Sequence, residues 1–276
     1  MSGKSLPTRS IRKFQEAIFR YHRDNRRDLP WRKTRNPYRI LVSEVMLQQT
    51  QVERAAGKYR EFIRTFPDFA SLAKAPLREV LRVWQGMGYN RRAVSLKKTA
   101  RLVATEFGGK LPSSADELMR LPGIGTYSAS AVCAFAFNTP AVFIETNIRR
   151  VFIHFFFDDR ERVKDSEILP LVEKTLDYSN PREWYYALMD YGAMLGKSRK
   201  NPNRKSAHYK KQAPFQGSNR QVRGMLLALF VRHPRLSEPE MLRELNVDPG
   251  RIRENLAALV KEGFLKKQGN RFTVCL

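Results

Sequence analysis

Glu44 is the first residue whose type and surroundings could support catalysis. It lies in the segment SEVMLQQTQV, among apolar residues such as Ile40, Val42 and Met46 that recur with helical spacing. A carboxyl group half-buried in such a helix should have a raised pKa, so that it could hold a proton near neutral pH and donate it. The alternative is a surface glutamate paired with an arginine, and the pattern alone favours this alternative.

A second acid and a cluster of uncharged polar residues lie at the ends of predicted helices. Glu145 opens an apolar helix, where it could be a simple N-cap or a carboxylate that faces positive charge developing on a substrate. One turn after Glu44, the uncharged side chains of Gln48, Gln49 and Thr50 could fill the hole that a flipped base leaves in a duplex.

A glycine-rich turn occurs in the segment LPGIGTYSA, residues 121–129. Gly123 and Gly125 allow a tight turn that exposes backbone N–H groups, including that of Thr126, before an apolar helix predicted from Ala129 to Phe137. Such a helix-hairpin-helix geometry binds a phosphate without reading base sequence. A plain connection between helices is the alternative, because Pro-Gly turns are common.

Net charge is the most unusual bulk property of the chain. Its 276 residues include 51 Lys and Arg against 27 Asp and Glu, so the net charge is +24 and the pI about 10.4. A polyanion relieves the resulting self-repulsion, so we expect nucleic acid as partner, with an anionic membrane surface as the alternative. No apolar run could span a bilayer and no secretory signal opens the chain. We expect a protein that is neither secreted nor membrane-bound, but cytoplasmic and nucleoid-associated if prokaryotic.

The apolar pattern predicts a large helical domain followed by a basic segment. From Ile11 to about Leu195, apolar residues recur at spacings of three and four, and the alternating runs of a large sheet are missing. We predict an all-α domain over residues 1–196. Nine Lys or Arg and no acid between Lys197 and Arg223 predict a basic linker or DNA-binding strap, which we place at 197–218.

Residues 219–276 have the pattern of a small winged-helix (α+β) domain. Three helices are predicted, the second opened by a capping box at Ser237 and the third capped by Asp248, and a basic hairpin follows. The third helix starts with Arg251 and Arg253, which would enter a major groove of DNA. The alternative is a module that binds protein or only packs on the first domain.

The motifs between Asp28 and Asp190 together resemble those of helix-hairpin-helix DNA glycosylases, most closely the MutY-type adenine glycosylases. The segments SEVMLQQTQV, QGMGYNRRA and LPGIGTYSA and the helix-opening acid occur in the family's order and at its spacing. The resemblance implies a two-lobed all-α fold with the active site in the cleft between lobes. It also implies extrusion of a base from duplex DNA and cleavage of its N-glycosidic bond.

The resemblance assigns roles to individual residues. Glu44 matches the glutamate that protonates the departing purine, and Gln48 and Tyr89 match residues that wedge into the helix around the flipped nucleotide and the opposite base. Gly123 and Gly125 match the phosphate-binding glycines of the hairpin. Tyr127 replaces the lysine of the bifunctional relatives, and tyrosine cannot form the Schiff base that strand cleavage needs.

Three departures from the family pattern matter. The family's helix-opening aspartate is Glu145 here, which moves the carboxylate by roughly 1.5 Å, about one C–C bond. Most relatives carry four cysteines for an iron–sulfur cluster just after the position of Ala193, where this chain has none, so we expect no cluster and no other cofactor or metal. MutY-type proteins usually end in a larger β-rich domain that reads 8-oxoguanine opposite the target adenine. Here the winged-helix pattern stands in its place. The strap residues that could replace the cluster's electrostatic role are Lys197, Arg199, Lys200, Arg204 and Lys205.

These observations predict a monofunctional DNA glycosylase that acts as a monomer on double-stranded DNA containing a lesion or mismatch. Adenine in a mismatch is the first expectation for the excised base, and hypoxanthine or a mispaired pyrimidine is the alternative within the same fold. A non-catalytic DNA-binding protein is the alternative from another class. The presence of both Glu44 and Glu145 favours the enzyme, because a decayed site has no reason to keep two carboxylates.

Overall fold

The computed structural model describes residues 7–198 and 200–275 and confirms a mainly helical chain with a small C-terminal sheet. The helices are α1 (Thr8–Asn25), α2 (Pro37–Leu47), α3 (Val52–Thr65), α4 (Phe69–Lys74), α5 (Leu77–Trp84), α6 (Arg91–Glu106), α7 (Ala115–Met119), α8 (Thr126–Phe137), α9 (Thr146–Phe156), α10 (Asp165–Thr175), α11 (Pro181–Lys197), α12 (Asn219–Arg232), α13 (Glu238–Glu244) and α14 (Pro249–Lys261). The strands are β1 (Arg235–Ser237), β2 (Leu265–Gln268) and β3 (Arg271–Val274), and 3-10 turns occur at Pro30–Lys33 and Pro202–Lys205. Within the described residues, no helix combines the length and the apolar character that a membrane span requires.

The chain divides into two compact units. The first contains the described residues up to Ile40 together with Ser113–Arg120 and Ile124–Lys211. The second contains Leu41–Pro112, Leu121–Gly123 and the described residues from Gln212 onward. The predicted winged-helix region therefore shares a unit with helices α3 to α6, and the domain bounds at residues 197 and 219 stay a prediction.

The first unit is built around the packing of α9 and α11, and α1 packs on α11 and contacts α9 through Phe14. Aromatic side chains fill this core, where the ring of Phe14 lies 5.4 Å from that of Phe152 and 5.7 Å from that of Trp184. The closest approach is at Gly192 of α11, where an added Cβ would lie 2.2 Å from the carbonyl oxygen of Asn147. Only glycine allows α11 to pass so near the first turn of α9.

Asp190 holds the N-terminal segment onto α11. Its side chain is buried and accepts hydrogen bonds from Arg27 Nε at 2.5 Å and Arg32 Nη1 at 2.8 Å, and it lies 2.8 Å from His22 Nδ1. Burial alone would raise the pKa of this carboxyl, yet the hydrogen bonds from His22 and Arg32 hold the pKa below its usual range. A buried charge of this kind is tolerated because it is fully paired.

Cations from distant positions bind the C-terminal carbonyls of four helices, each within one unit. A helix leaves its last carbonyls without partners, and its dipole favours a positive charge there. Arg92 donates to the carbonyl of Val45 in α2 (2.9 Å), Lys97 to Ala73 in α4 (2.9 Å), Arg182 to Ala136 in α8 (3.0 Å) and Arg78 to Val231 in α12 (2.9 Å). Part of the large basic excess therefore serves the fold itself.

The predicted strap is in part docked on the first unit. The 3-10 turn at Pro202–Lys205 packs on α9, where Arg150 Nε donates to Asn201 Oδ1 at 3.2 Å. Val163 N donates to the Lys205 carbonyl at 2.8 Å, and Ala207 N donates to the Val163 carbonyl at 2.9 Å. Residues 200–207 thus follow a defined path along this unit.

The C-terminal module forms three helices and a three-stranded antiparallel sheet in the order β1-β3-β2. The predicted hairpin and both predicted caps are confirmed, since Ser237 and Glu240 make a capping box and Asp248 accepts from Arg251 N at 2.9 Å. Strand β1 was not predicted, because its three residues are too few to show an alternating pattern. Glu262, the C-cap of α14, forms ion pairs with Arg223 of α12 at 2.6 Å and Arg91 of α6 at 2.9 Å.

We predict that Gly192→Ala destabilises the protein by about 1–3 kcal/mol, because the methyl group would force α9 and α11 apart. Urea denaturation measures the change. Gly57→Ala in α3 is the matched control, since nothing lies within 4 Å of its added Cβ, and it should cost no stability. Equal denaturation midpoints for Gly192→Ala and wild type would show that the close approach imposes no constraint.

Candidate active site

Glu44 lies in the middle of α2 and is 4% exposed. The predicted half-buried position is therefore corrected, because α2 buries more than one face: Leu41, Val42 and Val45 are all at most 3% exposed. The surface position of the alternative interpretation is therefore wrong for Glu44. A carboxyl group shielded from bulk water is suited to holding and delivering a proton, because burial disfavours its charged form.

Arg92 organises the chain immediately after Glu44. Its Nη1 donates to the carbonyls of Val45 and Met46, each at 2.9 Å, and to that of Gln48. Its Nη2 donates to Thr50 Oγ1 at 3.0 Å. One guanidinium thus binds the last turn of α2 and the polar segment that follows it.

The same guanidinium also binds the loop before α6. Arg92 Nη2 donates to the carbonyls of Met87 at 3.2 Å and Gly88 at 3.1 Å, and its Cζ lies 5.4 Å and 5.5 Å from the ring centroids of Trp84 and Tyr89. Burial lowers the pKa of Arg92 to about 10, so it remains charged at neutral pH. Arg92 was not predicted as a site residue, because nothing local in its motif indicates bonds to carbonyls more than forty residues earlier in the chain.

The two predicted wedge residues, Gln48 and Tyr89, are brought into one network by Arg92. Their surroundings are conformationally strained: Gln49 has φ 55° and Tyr89 has φ 47°, in the left-handed region that costs a non-glycine residue about 1–2 kcal/mol. Strain of this kind persists where surrounding contacts enforce it, and it concentrates at functional sites. The phenol oxygen of Tyr89 accepts hydrogen bonds from Gln212 and from Arg220, the latter at 3.1 Å.

The glycine-rich turn joins α7 and α8. Helix α8 starts at Thr126, earlier than the predicted Ala129, because Gly125 is its N-cap and the apolar periodicity does not show the first turn. Gly123 has φ 77°, and an added Cβ would lie 2.7 Å from Cβ of Ser95, so this position requires glycine on both counts. Gly123, Gly125 and Thr126 are exposed, which leaves the N-terminus of α8 accessible to an anion.

Glu145 is the N-cap of α9. Its Oε1 accepts from the backbone N–H of Asn147 at 2.7 Å and of Ile148 at 2.9 Å, and its Oε2 accepts from Asn147 Nδ2 at 3.2 Å. Burial raises the pKa of this carboxyl, against the opposing effect of the two backbone hydrogen bonds and of Arg150. The predicted N-cap geometry is thus present, and it holds a carboxylate in a place where its charge is costly.

The candidate catalytic and wedge residues are distributed over both units. Tyr127 and Glu145 belong to the first unit, whereas Glu44, Gln48 and Tyr89 belong to the second. The ring of Tyr127 is partly buried and lies 5.7 Å from that of Phe143.

The predicted DNA-binding cations differ in how far they are engaged by the protein. Arg251 donates to the carbonyl of Gly217 at 2.9 Å, Arg253 forms an ion pair with Glu238 at 2.6 Å, and Lys205 one with Asp158 at 3.2 Å. Lys197, Lys200 and Arg204 are exposed, and Arg199 lies outside the described residues.

The cysteines do not fit the four-cysteine cluster that the resemblance implied. The chain has two, Cys133 and Cys275. Cys133 is buried in α8, its thiol donates to the carbonyl of Ser113 at 3.3 Å, and burial raises its pKa, which disfavours the thiolate that binds metals. Across residues 7–198 and 200–275, His, Cys, Asp and Glu form no group of three or more that could hold a metal ion.

Comparisons with known proteins agree with these motifs. Residues 42–173 match the family described as "HhH-GPD superfamily base excision DNA repair protein". An adenine DNA glycosylase of Buchnera aphidicola subsp. Baizongia pistaciae is 36% identical over 186 residues, covering 66% of this chain and 52% of that protein. An adenine DNA glycosylase of Mycolicibacterium smegmatis is 35% identical over 264 residues, covering 88% of this chain and 89% of that protein.

The fold comparison gives a similar result. The solved structure of a thermostable thymine-DNA glycosylase matches with a TM-score of 0.61 at 28% identity, covering 70% of this chain and 90% of that chain. The chain spans about half the length of the Buchnera relatives that it matches and most of the length of the mycobacterial one.

Glu145 should make the stability of the protein fall as the pH rises. A carboxyl whose pKa is raised by folding binds its proton more tightly in the folded state, so its contribution to stability is lost between its ordinary pKa of 4.5 and the higher folded pKa. Glu145→Gln stays neutral, and its amide oxygen can keep both backbone hydrogen bonds. We expect the variant to lose less stability than wild type over this interval.

Urea denaturation at a series of pH values measures this difference. Glu106→Gln, at the exposed end of α6, is the control for a change of one surface charge. Identical pH dependence in wild type and Glu145→Gln would show that the buried charge of Glu145 does not cost stability.

Proposed function

Because the chain belongs to the HhH-GPD superfamily of base excision DNA repair proteins, we propose that it is a DNA glycosylase, which hydrolyses the N-glycosidic bond of a base flipped out of duplex DNA. The observation that carries the proposal is the nearly complete burial of Glu44, at 4% exposure, within the matched region. The resemblance of its motif to those of helix-hairpin-helix glycosylases assigns the role of proton donor to this residue. Burying a carboxyl group costs free energy, and proton donation in catalysis is a use that accounts for this cost.

In the proposed reaction, Glu44 donates a proton to a ring nitrogen of the flipped base. The C1′–N bond then breaks, its electron pair leaves with the now neutral base, and the sugar becomes an oxocarbenium-like cation. The carboxylate of Glu145 stabilises that positive charge. Water adds its oxygen to C1′ and releases one proton, which restores the acid. General acid catalysis of this kind contributes typically about 10²–10⁴-fold to the rate.

Adenine in a mismatch is the proposed substrate. The support is that the Buchnera and mycobacterial relatives, at 36% and 35% identity, are adenine DNA glycosylases. A mispaired thymine is the second candidate, because the matching solved structure is that of a thymine-DNA glycosylase. The partner is then duplex DNA with a mismatch or lesion, and each proposed catalytic group is present in a single copy of the chain, so a monomer would suffice.

We assign DNA contacts to three regions. The exposed N–H groups at Gly125 and Thr126 would bind a backbone phosphate, and Gln48 and Tyr89 would enter the duplex beside the flipped nucleotide. The exposed Lys197, Lys200 and Arg204 would neutralise further phosphates.

The two acids separate an enzyme from a binding protein. Glu44→Gln keeps the size of the side chain and removes the proton donor, so single-turnover base release should fall by about 10²–10⁴-fold while affinity for the duplex persists. Glu145→Gln removes the charge that faces the sugar and should also slow release. Duplexes with adenine, hypoxanthine or thymine in mismatches identify the base, and fluorescence anisotropy measures binding.

Glu53→Gln, in the exposed first turn of α3, is the matched control and should leave both rate and affinity unchanged. Wild-type rates in both Gln variants would remove these acids from the mechanism. Absence of base release by wild type on every duplex would favour the non-catalytic alternative.

Tyr127 predicts that the enzyme leaves the abasic strand intact. Strand cleavage by β-elimination requires an amine that forms a Schiff base with the sugar, and a phenol cannot supply one. We expect the product to break only on treatment with alkali, and borohydride to trap no covalent adduct with wild type. Tyr127→Lys should gain borohydride-trapped adduct. Efficient trapping by wild type would contradict the assignment.

A further inference from the structure

Tyr89 is held by two residues more than a hundred positions along the chain, Arg220 of the C-terminal module and Gln212 of the segment before it. The phenol oxygen accepts from Gln212 Nε2 and from Arg220 Nη1, the latter at 3.1 Å. The other terminal nitrogen of Arg220 donates to the carbonyl of Ala213 at 2.7 Å, and its Cζ lies 5.8 Å from the Tyr89 ring centroid. The planar fork of Arg220 therefore joins the ring to the segment that precedes α12.

The position of Arg220 is unfavourable for α12 itself. It is the second residue of that helix, and a cation near the N-terminus opposes the helix dipole. Because α12 would be more stable with a neutral or acidic residue there, the contacts of Arg220 with Tyr89 and Ala213 are the visible reason for an arginine.

Tyr89 is consequently fixed at both ends. Its carbonyl accepts from Arg92 N at 2.9 Å, its backbone stays in the left-handed region, and its hydroxyl is bound by Arg220 and Gln212. The module that supplies Arg220 is itself anchored beside the loop, since Glu262 pairs with Arg91, two residues after Tyr89. A side chain held at both ends needs no ordering when it enters DNA.

We propose that Arg220 and Gln212 are positioning residues for the Tyr89 wedge, so that the C-terminal module speeds base extrusion by pre-organising Tyr89 rather than by adding affinity for DNA. This inference rests on the proposed glycosylase function. It gives the module a task on the lesion-facing loop that does not require Arg251 and Arg253 to enter a major groove.

The test is a double-mutant cycle between Arg220→Ala and Tyr89→Phe. Stopped-flow fluorescence of 2-aminopurine beside the target base reports extrusion, and single-turnover assays report base release. If Arg220 acts through the phenol hydroxyl, each single variant should slow extrusion roughly tenfold, as expected for the loss of a charge-assisted hydrogen bond, and the double variant should be no slower than either. Affinity for an undamaged duplex should change by less than about twofold.

Two further variants separate positioning from plain charge. Arg220→Lys keeps the charge but loses the fork, so it should remain slow, whereas a contact with DNA phosphate would survive the change. Arg232→Ala removes one positive charge from the exposed last residue of α12 and keeps the backbone carbonyl that accepts from Arg78, so it should extrude the base at the wild-type rate.

The outcomes decide the proposal. Additive effects of Arg220→Ala and Tyr89→Phe, or full rescue by Arg220→Lys, would overturn it. Thermal melting of each variant identifies loss of folding, and Gln212→Ala, in an exposed position, then serves as the second probe of the same hydroxyl, with slower extrusion supporting the proposal and wild-type extrusion opposing it. If wild type extrudes the base without releasing it, the glycosylase proposal fails while the positioning role is still measured.

Discussion

The guanidinium of Arg92 is the interaction on which the candidate site of the second unit depends. It binds carbonyls at the end of α2, in the segment that follows α2 and in the loop before α6, and these segments carry Gln48 and Tyr89, the two residues proposed to enter the duplex. Burial lowers its pKa to about 10, and the hydrogen bonds that it donates to the carbonyls of both segments offset the cost of burying its charge. The conformational strain at Gln49 and Tyr89 is tolerated, because the hydrogen bonds of Arg92 fix the segments in which both residues lie.

Other basic residues are likewise bound to oxygen atoms of the protein itself. Lys97, Arg182 and Arg78 also bind carbonyls at helix ends, and Arg149 pairs with Asp165 through two hydrogen bonds of 2.7 Å. These cations are engaged within the protein and are not available to DNA. The net charge of +24 therefore does not translate directly into a number of neutralised phosphates, and the exposed Lys197, Lys200 and Arg204 are among the cations that could contact DNA.

Local features of the site could be predicted from sequence, and long-range ones could not. The caps at Ser237, Asp248 and Glu145 follow from residue types next to apolar runs, and the turn at Gly123 from its dipeptide. The partners of Arg92 at the end of α2 and in the segment that follows it lie more than forty residues away, and no periodicity encodes them. The docking of the strap on α9 was hidden for the same reason, since its basic composition alone is equally typical of a free linker.

Glu145 shows how a cap can absorb a change of side-chain length. The sequence comparison suggested that the extra methylene would move the carboxylate by roughly one C–C bond. In the structure, however, Oε1 is held by the N–H groups of Asn147 and Ile148, which belong to the first turn of α9. Gly192 keeps that turn against α11, so the position of this oxygen is set by helix packing rather than by the length of the capping side chain. An aspartate cap uses the same kind of backbone N–H groups. A glutamate cap and an aspartate cap can therefore present a carboxylate at nearly the same place. The extended backbone of the capping residue takes up the difference in side-chain length.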